Sequence, residues 1–347
     1  MFSVPRRVLP GLNIEVSAIG AGCWAIGGHA INRGVPIGWD DVDPAAAYEG
    51  LLRAHALGVT LFDTADVYGL GQSERLLGWL LRRVDRASVV VSSKVGYFAG
   101  TARHPYLPAQ MHRQFATTLD NLATDYLDIY FLHSSDFGPD DRHLDGAVAV
   151  MRELREQGLI RAIGLRAPHS FAEQWATSDR PEAAATARWL CLFDAIQPDI
   201  VTARYNLLSP TYQPWETDIF DFARPRGVGV LIKQPLGQGA LFRRHAGPHQ
   251  SFSSGDHRSR DPLFRPTALA EVDARLAPIR ARFGDTPAAM ARVALGYTLH
   301  RDSDAVALVG FRDATQIHTT VTSLADPLTL QDMTELKALL HASHATV

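Results

Sequence analysis

The sequence predicts an α/β protein built as a (β/α)8 TIM barrel, on three observations. Short apolar runs alternate with stretches of helical spacing over nearly the whole chain. The runs are continuous in Val, Ile, Leu and Phe rather than alternating with polar residues, as parallel strands covered on both faces require. Eight such runs can be counted, the number that closes a parallel barrel rather than leaving an open doubly wound sheet. Residues 1–347 are expected to form one domain of this kind.

Taken in order, Arg6 and Arg7 lead into VLPGL, but Asn13 and Glu15 interrupt the apolar stretch too early for the core of a secretion signal. The chain is therefore expected to be cytoplasmic, and the residues before Ile19 to form a hairpin closing the barrel bottom. The first strand is Ile19–Gly22. Pro44–Leu57 follows as a helix with Ala47, Leu51, Ala54 and Leu57 on one face and Gly58 as its stop. After a strand at Val59–Phe62, Ser73 is expected to cap a helix whose buried stripe is Leu76, Leu77, Leu80 and Leu81. The remaining strands are Val89–Ser92, Leu127–Leu132, Leu159–Gly164, Ile200–Ala203, Val228–Ile232 and Ala305–Val309, with a helix at Met151–Gln157 stopped by Gly158. One region breaks the rhythm. Gly237–Thr267 is rich in Gly, Ser, Pro, His and Arg without any sustained period, and is expected to be a long lid or disordered loop on the C-terminal face. Its histidines, His245, His249 and His257, are expected to be solvated.

Composition excludes several function classes. Lys plus Arg (34) against Asp plus Glu (37) leaves a net charge of −3, with no footprint for nucleic acid or an anionic membrane. Hydrophobic residues at 46% and charged residues at 20% supply a large core. No apolar run approaches the roughly 20 residues of a membrane helix. Cys23 and Cys191 cannot build a disulfide framework or a multi-cysteine metal site, and the 14 histidines show no HExxH spacing, so no metal is expected. Nothing marks Cys23 as a nucleophile.

Four polar residues stand at or just beyond the ends of successive strands. Asp63 ends VTLFD, Tyr68 lies in DTADVYG, Lys94 ends VVVSSK and His133 ends DIYFLH. Each alone has an ordinary reading as a helix cap, a solvated strand end or a satisfied loop residue. Strand ends converge at a barrel mouth, and together the four suit one chemistry. A tyrosine, with a pKa of about 10, is a poor acid at neutral pH unless a cation lowers it. Lys94 is expected to supply that cation, Asp63 to keep Lys94 charged and oriented, and His133 to hold a carbonyl oxygen or share its proton with Tyr68. Such a group can protonate a developing alkoxide. No side chain donates hydride, so a nicotinamide cofactor is expected to do so. Gly69 and Gly71 do not extend to a dinucleotide fingerprint, because position 74 is Glu, and are expected to shape the turn into the next helix. Trp24, Tyr97 and Phe98 follow strand ends and are candidate linings of a substrate pocket.

The segment GVTLFDTADVYGLGQSERLLG, with SSKVG and DYLDIYFLH, resembles the aldo-keto reductase superfamily, and Asp63, Tyr68, Lys94 and His133 match its catalytic tetrad. The resemblance extends to the N-terminal hairpin, GAGCWAIGG, GVLIKQPLGQGAL and VGFRDATQI, and so covers essentially the whole chain. It implies a (β/α)8 barrel that binds NAD(P)H in extended form without a Rossmann domain and reduces a small-molecule aldehyde or ketone. By the same resemblance Pro235, Leu236, Gly237, Gln238 and Gly239 approach the cofactor's pyrophosphate, and Gly310, Arg312 and Gln316 hold its adenosine end. Arg312 is placed to meet a 2′-phosphate, which favours NADPH over NADH. The chain departs from the family pattern where the nicotinamide is held. Gly164, Leu165, Arg166 and Ala167 replace a Gly-x-Ser-Asn segment, Thr202 replaces a Gln, and Lys233 stands where many members carry a ring-stacking aromatic. Thr320 replaces an Asn of the adenosine motif. The expected function is NADPH-dependent carbonyl reduction with Tyr68 as general acid. The alternatives are a cofactor-binding regulatory subunit and a non-redox biosynthetic enzyme on the same fold.

Overall fold

Strands buried on both faces are satisfied best where no sheet edge remains, and a closed parallel barrel removes every edge. The computed structural model describes residues 3–40, 42–208, 212–242 and 252–344, and shows such a barrel. An antiparallel hairpin comes first, β1 (Arg6–Leu9) against β2 (Ile14–Ser17). β3 (Ile19–Gly22) opens the barrel, and the loop after it carries a short ladder, β4 (Ile31–Asn32) with β5 (Val35–Pro36). Then follow α1 (Pro44–Ala56), β6 (Leu61–Asp63), α2 (Gln72–Leu81), β7 (Val90–Val95), α3 (Pro108–Leu122), β8 (Leu127–Leu132), α4 (Leu144–Glu156) and β9 (Ile160–Arg166). The chain continues through α5 (Ala183–Ile196), β10 (Ile200–Arg204), α6 (Ile219–Ala223), β11 (Gly229–Lys233), α7 (Pro266–Phe283), α8 (Pro287–His300), β12 (Val306–Gly310), α9 (Ala314–Thr322) and α10 (Leu330–His344). All barrel pairs are parallel, and β12 closes on β3. Among the described residues no helix is long and apolar enough to cross a membrane.

The register identifies the side chains that face the barrel axis, because successive residues of a strand point to opposite faces. Leu61 lies opposite Val90, Ile129 opposite Ala162, Gly164 opposite Ile200, Leu231 opposite Val306, and Leu308 opposite Gly20. These apolar members form one cluster with Phe131 and with Leu9 and Val16 of the hairpin. The hairpin therefore plugs the lower end, as expected, and Arg7 fastens it by donating to the carbonyls of Leu299 (2.8 Å) and Asp302 (2.7 Å). Gly164 sits where a Cβ would meet the Phe131 ring at 2.2 Å, so only glycine fits that inner position. Further up the same inward positions stand Asp63, one step above Leu61, and Lys94, two steps above Val90.

Three expectations are corrected. Ser73 does not cap α2; Gly71 does, with φ at +89°. Ser73 lies inside the helix instead, donating to the Cys23 carbonyl (2.7 Å) and sharing a hydrogen bond with the Thr64 hydroxyl (2.8 Å). The stripe of Leu76, Leu77, Leu80 and Leu81 is buried as predicted, each side chain contributing about 1.5–3 kcal/mol. The stretch after β11 is not free of structure either. It holds short helical turns at Gly237–Phe242, His257–Ser259 and Pro262–Phe264, and α7 begins at Pro266. His245 and His249 lie outside the described residues. Finally, several strands run one to three residues beyond the predicted apolar runs, ending at Asp63, Val95, Arg166, Arg204, Lys233 and Gly310.

Candidate active site

The strand ends bring Asp63, Lys94 and His133 to one place, and the turn between β6 and α2 brings Tyr68. Lys94 Nζ donates to both Asp63 carboxylate oxygens at 2.8 Å and to the Thr64 carbonyl at 2.5 Å. Ser92 also donates to Asp63. Both charged side chains are buried, at 5% and 6% exposure, so this pair is shielded from solvent screening. Burial works against the Lys94 charge, but Asp63 and Tyr68 outweigh it and hold the ammonium above its ordinary range. Lys94 Nζ lies 4.9 Å from the centroid of the Tyr68 ring. Here the expected lowering of Tyr68 is corrected. Burial pushes its hydroxyl above the ordinary value, and Lys94, although it pulls the other way, does not reverse the shift. The His133 ring stands 6.0 Å from that of Tyr68 at an interplanar angle of 82°. Burial, then Lys94, Arg166 and Lys233, drive its pKa well below the ordinary histidine value, so the imidazole is neutral at neutral pH. Its Nδ1 is buried without a partner among the described residues.

The turn that delivers Tyr68 depends on glycine. Gly69 has φ +60°, and a Cβ there would come within 2.0 Å of the Gly27 carbonyl oxygen. Glu74, which spoiled the dinucleotide fingerprint, is fully buried and accepts from Ser93 (2.7 Å), Thr118 (2.9 Å) and Asn121 (3.0 Å). It ties α2 to β7 and α3, and burial raises its pKa.

Two of the three candidate pocket residues surround this cluster. The Trp24 ring stacks on Tyr68 at 5.9 Å, and Tyr97 stands edge-on to His133 at 4.7 Å. Phe98 is half-buried and makes no ring contact with the tetrad among the described residues. Cys23 is buried, and burial followed by the Asp63 charge pushes its thiol up, so it is inert. His257 is not solvated as expected. Its ring lies 4.1 Å from Trp24, and it hydrogen-bonds the Gly38 carbonyl (3.1 Å) and the Gln238 side chain. The segment after β11 thus crosses the mouth to the loop after β3, a contact with no periodic signal in the sequence.

A nucleotide can be tested against the other side of the mouth. A pocket of about 490 Å³ is lined by Asp40, Asp43, Asp256, Arg258, Arg312 and Asp313, among others. Three of its carboxylates are occupied, Asp43 capping α1, Asp313 capping α9 and Asp256 binding Arg258, while Asp40 faces His29 through one oxygen and buries the other without a partner among the described residues. The Arg312 guanidinium has no partner among the described residues, which suits a phosphate. Gly310 is exposed with open space around it, and so is the space around Gly239. Gln316 is committed, its Oε1 accepting from the Arg312 backbone N–H (3.1 Å), and the Gln238 side chain bonds His257 and Asp261. Pro235 and Leu236 are buried beneath the turn that Gly237 starts. The residues therefore fit an extended dinucleotide at its phosphate and adenosine end. At the ring end, the Thr202 hydroxyl is buried without a partner among the described residues, and Ala167 donates its N–H to the Thr202 carbonyl (3.1 Å); at the adenosine end, Thr320 is buried on α9.

A model of the aldo/keto reductase family matches residues 18–341. An NADH-specific methylglyoxal reductase of Escherichia coli (strain K12) is 30% identical over 241 residues, 66% of this chain and 66% of its own length. An uncharacterized oxidoreductase of Mycobacterium bovis is 32% identical over 286 residues, 82% of this chain and 77% of its own. The solved structure of a glycerol dehydrogenase from Gluconobacter oxydans superposes with a TM-score of 0.72 at 22% identity, covering 97% of this chain and 95% of that one. An aldo-keto reductase from Klebsiella pneumoniae in complex with NADPH superposes at 0.64 with 23% identity, covering 98% and 96%. At those identities the solved structures share the fold. By the family match over nearly its full length, the chain belongs to the aldo/keto reductase family and is an NAD(P)H-dependent oxidoreductase.

Proposed function

We propose that the protein, acting as a single barrel domain, reduces an aldehyde or ketone to an alcohol with NADPH, and that Tyr68 supplies the proton. The observation that carries this reading is the convergence of Tyr68, Lys94, Asp63 and neutral His133 at the barrel mouth. The cofactor, when bound, supplies hydride to the carbonyl carbon. The protein does the rest. His133 can donate one hydrogen bond to the carbonyl oxygen and so orient it. Tyr68 remains protonated at neutral pH because burial holds its hydroxyl up, and an alkoxide is basic enough to take that proton without a depressed tyrosine pKa. Lys94 then stabilises the phenolate left behind, and Asp63 keeps Lys94 charged and in place. Trp24, stacked on Tyr68, limits the access of water.

Arg312 supports NADPH as the partner, since its guanidinium is the pocket's uncommitted cation among the described residues. Gly310, Gln316 and the Pro235–Gly239 turn would frame the nucleotide. Titration of tryptophan fluorescence with both nucleotides tests this. NADPH is expected to bind at least about tenfold more tightly than NADH, and Arg312→Ala to remove the difference. Equal affinities in the unaltered protein contradict the assignment. The redox reading itself is checked by aldehyde-dependent loss of nicotinamide absorbance; product formation without cofactor oxidation contradicts it.

A further inference from the structure

Two histidines outside the proton-transfer group meet where the loops of the mouth join. The loop after β7, residues 96–107, carries Tyr97 and Phe98, and the loop after β8, residues 133–143, begins with His133. The loop after β3 is tied to the first of these by Asn32, whose Nδ2 donates to the Tyr97 carbonyl (3.0 Å). The other two loops meet through side chains. The Tyr106 hydroxyl donates to the Ser134 carbonyl (2.7 Å) and accepts from the Ser134 N–H (2.9 Å), next in the chain to His133. The Tyr106 ring stacks on Phe137 at 4.4 Å, and the His104 ring stacks on His143 at 4.4 Å with 27° between the planes. Gly138 turns the chain at φ +82°, and a Cβ there would crowd the His143 ring at 3.0 Å.

The Tyr106 contacts do not change with pH near neutrality, because burial holds that hydroxyl well above its ordinary value. The histidine contact does. The Tyr106 backbone N–H, which can only donate, gives to His104 Nδ1 (3.2 Å), so Nδ1 carries a lone pair and the ring proton sits on Nε2. A proton on Nδ1 ends that bond. It also sets an imidazolium against a second imidazole, with Arg33 of the loop after β3 and Arg142 adding positive charge. One carboxylate opposes this: Asp136 Oδ1 stands 4.0 Å from His104 Nε2, but it is exposed and already accepts from the Gly138 N–H (2.9 Å). The other acids of that loop are Asp140, exposed, and Asp141, held by Arg188. Burial, then His143, hold the His104 imidazole below its ordinary value, with Asp136 pulling it up and Arg33 and Arg142 pushing it down.

We infer that His104 and His143 form a proton-sensitive clasp between the loops that carry Tyr97, Phe98 and His133, closed while the rings are neutral and released as they take up protons. His104 sets the direction. Its value in the closed clasp lies below the ordinary one of about 6.5, so the clasp holds fully above that pH and weakens as pH falls through the range below it. Release frees Tyr97 and the chain beside His133, so the aldehyde loses a wall of its pocket. The nucleotide pocket around Arg312, beyond β12, includes no residue of either loop. The effect on turnover rests on the proposed reductase activity; the clasp itself does not.

Hydrogen–deuterium exchange on the full-length protein, corrected for the intrinsic rate at each pH, reads the clasp directly. Amides of 96–107 and 133–143 are expected to lose about tenfold or more of their protection between about pH 7 and pH 5. Two variants remove the titration while keeping the contact: His104→Asn retains an acceptor for the Tyr106 N–H, and His143→Phe retains the stacked ring. In both, the loss of protection is expected to stay below about threefold. KM for a neutral aldehyde should rise about tenfold over the same interval in the unaltered protein and less than about threefold in the variants, while the pH dependence of NADPH affinity is the same in all three. Protection that does not respond to pH in the unaltered protein, or that is lost equally in both variants, overturns the inference. So does a rise in KM that survives both substitutions. A clasp that opens by exchange while KM stays constant overturns its place in the substrate wall. Reduction of no aldehyde tested, with a pH-dependent protection that both variants abolish, overturns the reductase reading and retains the clasp.

Discussion

Lys94 is the residue on which the electrostatics of the mouth turn. It is raised by Asp63 and Tyr68, it opposes the burial of Tyr68, and it helps to keep His133 neutral. Lys94→Met is expected to lower kcat by about 10²-fold or more, because the phenolate then forms without a neighbouring cation; a loss below about threefold would contradict its role. The pH dependence follows from the directions of the shifts. Tyr68 must be protonated to act, and its raised pKa keeps it so past the ordinary tyrosine value of about 10. His133 is lowered and does not charge near its ordinary value of about 6.5. Reduction of a neutral aldehyde should therefore be flat between about pH 6 and 9, and an acidic limb near the ordinary histidine pKa in the kcat profile would show that His133 titrates there. At this scale the sequence revealed what motifs carry: Asp63, Tyr68, Lys94 and His133 sit in recognisable strand-end segments. The sign of the Tyr68 shift was hidden, because it depends on how much water the fold excludes. Arg166 and Lys233 showed as departures from a pattern.

The strands explain why residues at the barrel mouth are hard to see. A parallel strand reads in sequence as an apolar run, and the run stops where the inward side chain becomes polar. β9, β10 and β11 continue to Arg166, Arg204 and Lys233, one or two residues past their apolar runs. The mouth-facing residues are the part of a barrel strand that looks like loop. Short helical turns after β11 were missed for a related reason, since pieces this short show no periodicity. Two element-level predictions follow from contacts rather than patterns. Gly164→Ala on β9 should destabilise the protein by about 1–3 kcal/mol, since its Cβ would press on the Phe131 ring. An unchanged denaturation midpoint would show that β9 and β8 do not meet there. Asp313→Ala should cost about 1 kcal/mol by removing the cap of α9, read from the same denaturation curves.

For the whole molecule, the barrel was legible because continuous apolar strands leave few architectures that bury both faces and both edges, and the hairpin was legible as the apolar remainder below the first strand. The bridge across the mouth, from His257 to Trp24 and Gly38, joins distant parts of the chain and had no local signature. A bound nucleotide should stabilise the fold by about 2.7 kcal/mol at a hundredfold excess over its Kd. The melting temperature should rise with NADPH and, at equal concentration, less with NADH. The central claim, that the barrel mouth transfers a proton from Tyr68 as the carbonyl is reduced, is tested most directly by a single turnover of the preformed NADPH complex with an aldehyde, comparing the unaltered protein with Tyr68→Phe. The account predicts a rate of nicotinamide oxidation about 10²–10⁴-fold lower in the variant, with NADPH affinity nearly unchanged. A variant that oxidises NADPH at close to the unaltered rate would contradict it.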